Sequence, residues 1–218
     1  MDLIAALQRP EAYPWRPDAV EMVTTHLSWV FLAGDRVVKV KRPVVYPFVD
    51  YASLDRRRQA CLDEVRLNRR LTDGVYLAVA PITRTAAGCR VGGAGVPIEW
   101  ATVMRRLPAD AMLDARLARG AVPADMVDRL AARLLPFHRD LAPSCGVAPA
   151  TADAATKVVT DNLAELAPFR NAPLGEIQFD LVAAALRRFA SERADLLRAR
   201  AAAGWIREGH GDLRAEHV

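Results

Sequence analysis

The chain changes its hydrophobic rhythm about halfway along. In the first half, apolar residues come in short runs and alternations suited to strands. Ser28 to Ala33 and Arg36 to Val40 flank the Gly34-Asp35 pair, which reads as a hairpin. Val75 to Ile82 is a further strand. Cys89 to Val91 and Ile98 to Met104 flank the glycines at 92, 93 and 95, a second hairpin rather than a nucleotide loop, because no helix follows. Between these strands Ser53 opens a helix as its N-cap, with Asp55 in the first turn and Gly74 beyond the end. The segment from Thr24 to Ser28 is a polar connection ahead of the first clear strand. The second half has the helical period. Asp110 to Arg119 is stopped by Gly120, and a helix entered near Pro123 has the apolar stripe Val127, Leu130, Ala131 and Leu134. Thr151 to Leu166 and Phe179 to Ala203 follow, the latter stopped by Gly204, and Trp205-Ile206 begin a short strand before Gly209. A β-rich lobe over 1–105, then a helical lobe over 106–218, predicts an α+β bilobal architecture with its ligand between lobes.

Composition narrows the function classes. At 218 residues and 52% hydrophobic, the chain can bury a real core. A net charge of +4 without a dense basic patch disfavours nucleic acid. No apolar run approaches the ~20 residues of a membrane helix, and no signal peptide is visible. Cys61, Cys89 and Cys145 are odd in number and lack CxxC spacing, as in a reduced, cytoplasmic protein.

Arginine is the default cation, and only Lys39, Lys41 and Lys157 are lysines. Alternation places Val37, Lys39 and Lys41 on one face of their strand, with Val38 and Val40 on the other. A lysine there either snorkels to water or meets an anion. On the helix after Ser53, Ala60, Glu64, Leu67 and Leu71 form one stripe. Glu64 has no cation three or four residues away, so it is either solvated or paired from another element. Lys39 and Arg42 are the first candidates, with Lys41 behind them. Asp63 faces elsewhere. His138 reads as a packed structural histidine. The ending Gly209-His210-Gly211-Asp212 exposes a carboxylate in a tight loop.

Taken in order, WVFLAGDRVVKVKRP, LDEVRLNRRL, EWATVMRRLP and HGDLRAEHV resemble the aminoglycoside phosphotransferase-like branch of the protein-kinase-like fold. Closer still are bacterial phosphotransferase-domain proteins of unassigned substrate, some with an added P-loop kinase domain. The resemblance runs from about residue 20 to the end of the chain. It implies an ATP-dependent phosphotransferase acting on a small-molecule hydroxyl. Lys39 would hold the ATP phosphates and Glu64 would position it. Met104, Arg105 and Arg106 would form the hinge beside adenine, Asp212 would be the catalytic aspartate, and Thr25, His26 and Ser28 would lie in the loop over the phosphates. The implied metal is Mg²⁺ or Mn²⁺. His217 stands where the branch has a metal-binding Asn, and imidazole suits Zn²⁺ or Mn²⁺ better than Mg²⁺. The branch's second metal aspartate and the helices after it have no counterpart before Val218. The expectation is therefore of an incomplete helical lobe, completed by a further segment or P-loop domain, with Asp212 exposed. The same gaps admit a second reading, a non-catalytic nucleotide-binding or regulatory module or an inactive fragment. Charge between Asp140 and Ala203 is nearly balanced, which gives a polycationic acceptor no special support.

Overall fold

The structure is a computed structural model describing residues 2–86, 88–142, 152–171, 173 and 175–218. Cys145 and Thr151 lie outside the described residues. The protein is mixed α+β. Packing divides it into two units, Met1–Arg133 with His210–Val218, and Leu134–Gly209.

The first unit is built on a six-stranded antiparallel sheet in the order β1-β2-β3-β8-β6-β7. Its strands are β1 (Val20–Thr24), β2 (Ser28–Ala33), β3 (Arg36–Lys41), β6 (Tyr76–Thr85), β7 (Gly88–Val91) and β8 (Pro97–Arg105). The two-residue strands β4 (Val45–Tyr46) and β5 (Val49–Asp50) form a separate small hairpin. β2 and β3 turn at Gly34-Asp35, where Gly34 has a φ of +66°. A positive φ at the first residue of a two-residue loop gives the twist that antiparallel strands need, and a side chain there is strained.

Alternation sorts the sheet's two faces. Phe31, Val38, Val40, Ile82, Val91, Ala101 and Val103 form one core with Leu7, Ala12 and Tyr13. Full burial of such an aliphatic or aromatic side chain contributes roughly 1.5–3 kcal/mol. Leu7 comes from α1 (Leu3–Leu7), whose first amides are capped by the Asp2 carboxylate at 3.0 and 3.4 Å. Trp15 Nε1 donates to the Ala33 carbonyl at 3.0 Å and fastens this N-terminal segment to the sheet. The opposite face receives α2 (Leu54–Asn68), which packs on β8, β6 and β3. The Ser53 hydroxyl caps it by accepting from the Arg56 amide at 3.2 Å.

The unit continues past the expected lobe boundary at residue 105. It includes α3 (Leu113–Ala118) and the beginning of α4 (Met126–Asp140), and it takes in the final nine residues. The Leu113 amide donates to the Val218 carbonyl at 2.9 Å, and the Arg133 guanidinium donates to the Leu71 carbonyl at 3.2 Å. These bonds draw later segments onto the sheet unit.

The second unit contains the end of α4, then α5 (Ala152–Leu166), α6 (Glu176–Glu192) and α7 (Ala194–Ala202). The last three pack on one another around Leu163, Ala183 and Ala190. Much of the apolar surface of α6 stays exposed, including Ile177, Leu181 and Phe189.

Several local expectations need correction. A strand, β1, precedes Ser28. Its outer position leaves Glu21, Val23 and Thr24 exposed, so it lacks the apolar run of a central strand. α2 ends at Asn68, six residues before Gly74. The helix expected over 110–119 is a short 3₁₀ turn and then α3, separated at Met112 by extended backbone. The helix expected over 179–203 begins at Glu176 and breaks at Arg193, whose backbone leaves helical geometry. Trp205 and Ile206 form no strand, and only Arg207 makes an isolated bridge. On α4 the stripe is not buried, for Val127 is 72% exposed. His138 is exposed, in edge contact with Phe137 at 5.0 Å, and is not a packed core histidine.

Candidate functional site

The antiparallel register brings the chemistry-bearing residues of β3 and β8 under α2. Lys39 is paired with Thr102 across β3 and β8. Paired residues of neighbouring strands share a face, so both side chains point toward α2. From the helix, Glu64 reaches down between them. Its Oε1 accepts from Lys39 Nζ at 2.7 Å. Its Oε2 lies 2.9 Å from Lys41 Nζ and accepts from Thr102 Oγ1 at 3.0 Å. The carboxylate in the apolar stripe is therefore paired across elements, and with both lysines of β3.

The three charges differ in access to water. The Glu64 side chain is 13% exposed, Lys41 7% and Lys39 29%. Burial alone would push the Glu64 carboxyl up, but the charges of Lys41 and then Lys39, with their hydrogen bonds, outweigh it and hold the group at about 2. Nearby groups feel the same carboxylate. Burial and then Glu64 push the Tyr76 phenol up to about 12 and raise that of Tyr51. Burial likewise raises the Cys61 thiol, which makes it an inert packing residue.

Arg42, the other candidate partner of Glu64, is used elsewhere. Its guanidinium donates to the carbonyls of Thr25 and His26 at 2.9 and 3.2 Å and pins the turn between β1 and β2. Within that turn Thr25 Oγ1 accepts from the Ser28 amide and donates to the Ser28 carbonyl, at 3.0 and 3.1 Å. Thr25 and His26 are exposed, whereas Ser28 is buried and its Oγ has no hydrogen-bond partner among the described residues.

Of the hinge residues, Met104 is held in the ladder between β3 and β6. The Arg105 amide donates to the Val75 carbonyl and the Arg106 amide to the Asp35 carbonyl, each at 2.8 Å. Both amides are thus spent inside the protein. The first backbone amide past them belongs to Leu107.

Asp212 lies in the same packed unit as Lys39 and Glu64. Gly211, with a φ of +83°, sets the turn before it. Its side chain is 63% exposed, in keeping with the expectation for this loop. The carboxylate lies 3.0 Å from Arg214 Nε and 3.8 Å from His217 Nδ1, and Arg214 also meets Glu216 at 2.6 Å. His217 Nδ1 is 2.7 Å from the Asp212 carbonyl. These contacts fold the segment onto itself. Among the described residues no three His, Cys, Asp or Glu side chains converge as a metal site. The Asp212 carboxylate instead meets the Arg214 guanidinium.

A second buried ion pair escaped the reading of the sequence. Arg57 Nε donates to both carboxylate oxygens of Glu99, at 3.0 and 2.9 Å, and its Nη1 donates to the carbonyls of Tyr51 and Ala52 at 2.9 Å. This joins α2, β8 and the strand-to-helix connection. Arg57 stands within Arg56-Arg57-Arg58, so composition gives no hint of which arginine turns inward.

No helix among the described residues is long and apolar enough to cross a membrane. The chain matches no known family model and no solved structure. It is similar to uncharacterized proteins of Mycobacterium bovis and Mycobacterium tuberculosis, each 30% identical over 200 residues, which is 91% of this chain and 39% of theirs. The chain thus spans about two-fifths of the length of the relatives that it matches.

Proposed function

We propose that the chain is the nucleotide-binding portion of an ATP-dependent phosphotransferase of kinase-like, bilobal architecture, acting on a small-molecule hydroxyl and akin to the aminoglycoside phosphotransferase-like proteins. The observation that carries this reading is the Lys39–Glu64 pair, made between the third strand of an antiparallel sheet and the helix laid across it. In this reading Lys39 holds phosphate oxygens, and Glu64 keeps the lysine in place beside the sheet until they arrive. Asp212 accepts the proton of the acceptor hydroxyl once Arg214 has moved off it. The catalytic contribution is positioning and charge neutralisation. Adenine contact through the backbone falls to Leu107 and beyond, because the amides of Arg105 and Arg106 are spent.

A second reading, a nucleotide-binding module without turnover, is favoured by one observation. The Asp212 carboxylate is held by Arg214 and faced by His217.

The test is a thermal melt of the protein with ATP alone and with Mg²⁺, followed by a γ-phosphate transfer assay over a panel of hydroxyl acceptors. A ligand at 100 times its Kd stabilises by about 2.7 kcal/mol, a readily measured shift. No shift at millimolar nucleotide refutes both readings. A shift without transfer, in the wild type and in Arg214→Ala, selects the second.

A further inference from the structure

We propose that Lys41 is the positioning residue of this site, holding Glu64 while Lys39 turns to a polyphosphate anion. The inference rests on the nucleotide reading and adds to it the residue that lets Lys39 leave Glu64.

The first observation is a surplus of charge. Two ammonium groups share one carboxylate, so the buried cluster keeps one net positive charge. Burying a cation without a counter-ion is costly. Were Glu64 present only to neutralise Lys39, an apolar residue at position 41 would serve better, as Val37 does on the same face.

The second observation is how the contacts are divided. Lys39 meets Oε1, whereas Lys41 and Thr102 both meet Oε2. If Lys39 swings away, Glu64 still has an ion pair and a hydrogen bond.

The third is access. Lys39 is 29% exposed and Lys41 only 7%, and Lys41 sits against the Tyr51 ring, 5.8 Å from its centroid. The outer lysine is the one an anion can reach. Arg42 cannot replace it, because its guanidinium is committed to the carbonyls of the β1–β2 turn. A polyphosphate therefore completes the charge balance at Lys39 without leaving a buried carboxylate unpaired.

The experiment is calorimetric titration of the full chain with inorganic tripolyphosphate and with ATP. Lys39→Met removes the contact itself, and a charge-assisted hydrogen bond of ordinary strength makes the expected loss about 10- to 100-fold. Lys41→Met leaves Lys39 in place but makes it the sole counter-ion of Glu64. Binding of both ligands is expected to weaken about tenfold, with rescue by Lys41→Arg. Lys41→Gln keeps a donor without the charge and serves if Lys41→Met does not fold. The same weakening is expected there. The decisive variant is Lys41→Met combined with Glu64→Gln. Removing the carboxylate frees Lys39, so affinity should recover toward wild type, whereas a purely structural Lys41 makes the double variant bind no better than the single one. If the wild type binds tripolyphosphate or ATP and Lys41→Met and Lys41→Gln bind equally well, the role of Lys41 is overturned and the nucleotide reading stands. If the wild type binds neither ligand, both fall.

Discussion

Replacing Glu64 by Gln keeps the shape of the side chain and removes its charge, and the consequence can be worked out from two directions. The variant leaves Lys41, 7% exposed, without a counter-ion and close to a second ammonium. Breaking a buried pair on one side costs about 3–5 kcal/mol, and the lower end applies because Lys39 can turn to water. The depressed carboxyl gives a second figure. A carboxyl held at about 2 rather than 4.5 corresponds to roughly 3 kcal/mol of stability at neutral pH. The folded value is depressed, so this stability is fully present above the unfolded value of 4.5 and is lost as pH falls toward 2. The assay is urea unfolding followed by the fluorescence of Trp15, Trp29 and Trp100, which lie in the sheet unit, with Trp205 of the other unit replaced by Phe. With a slope of about 2 kcal/mol/M, Glu64→Gln should lower the midpoint by about 1.5 M at pH 7. The gap should close between pH 5 and pH 2. A gap under about 1 kcal/mol at pH 7, or one that stays constant as the pH falls, would falsify the account of Glu64 as a buried carboxylate held by the two lysines.

Two other outcomes follow from the same packing. Arg57→Met should cost about 3–5 kcal/mol in the same unfolding assay, because it strands the Glu99 carboxylate, and Arg57→Met with Glu99→Leu should recover much of that loss. Ser28→Ala should be neutral or stabilising by up to about 1 kcal/mol, since the buried hydroxyl has no partner among the described residues. If instead Ser28→Ala weakens nucleotide binding while leaving stability unchanged, Ser28 is a ligand contact, as the resemblance implies.

The parts of this arrangement that were legible in the sequence are those in which one residue breaks a local pattern. Glu64 interrupts an apolar stripe and has no cation along its own helix, so a partner on another element could be inferred. Alternation put Lys39 and Lys41 on one face, but it could not say that one carboxylate would take both. Thr102 became a partner only through the pairing of β3 with β8, strands whose paired residues lie about sixty positions apart. Arg57 and Glu99 were hidden for the opposite reason, since each is an ordinary charged residue among others. β1 was missed because its exposed positions carry no strong alternation. The stripe on α4 misled because periodicity states only that a helix has an apolar side, not that another element covers it. The break at Arg193 has no glycine or proline to announce it.

The position of β8 also bears on the order in which the sheet unit assembles. β8 lies between β3 and β6, although it is the last of the sheet's strands to be synthesised. Until it inserts, β1–β2–β3 and β6–β7 are separate local hairpin structures, each formed from near neighbours in the chain. Glu99 and Thr102, the β8 partners of Arg57 and Glu64, arrive only with that strand. Before residue 99 is made, Arg57 of α2 lacks its Glu99 partner. Long-range pairing of this kind is slow relative to hairpin formation. The Arg57–Glu99 pair is therefore a lock that closes late in folding. Its loss should speed unfolding far more than it slows the first collapse of the chain.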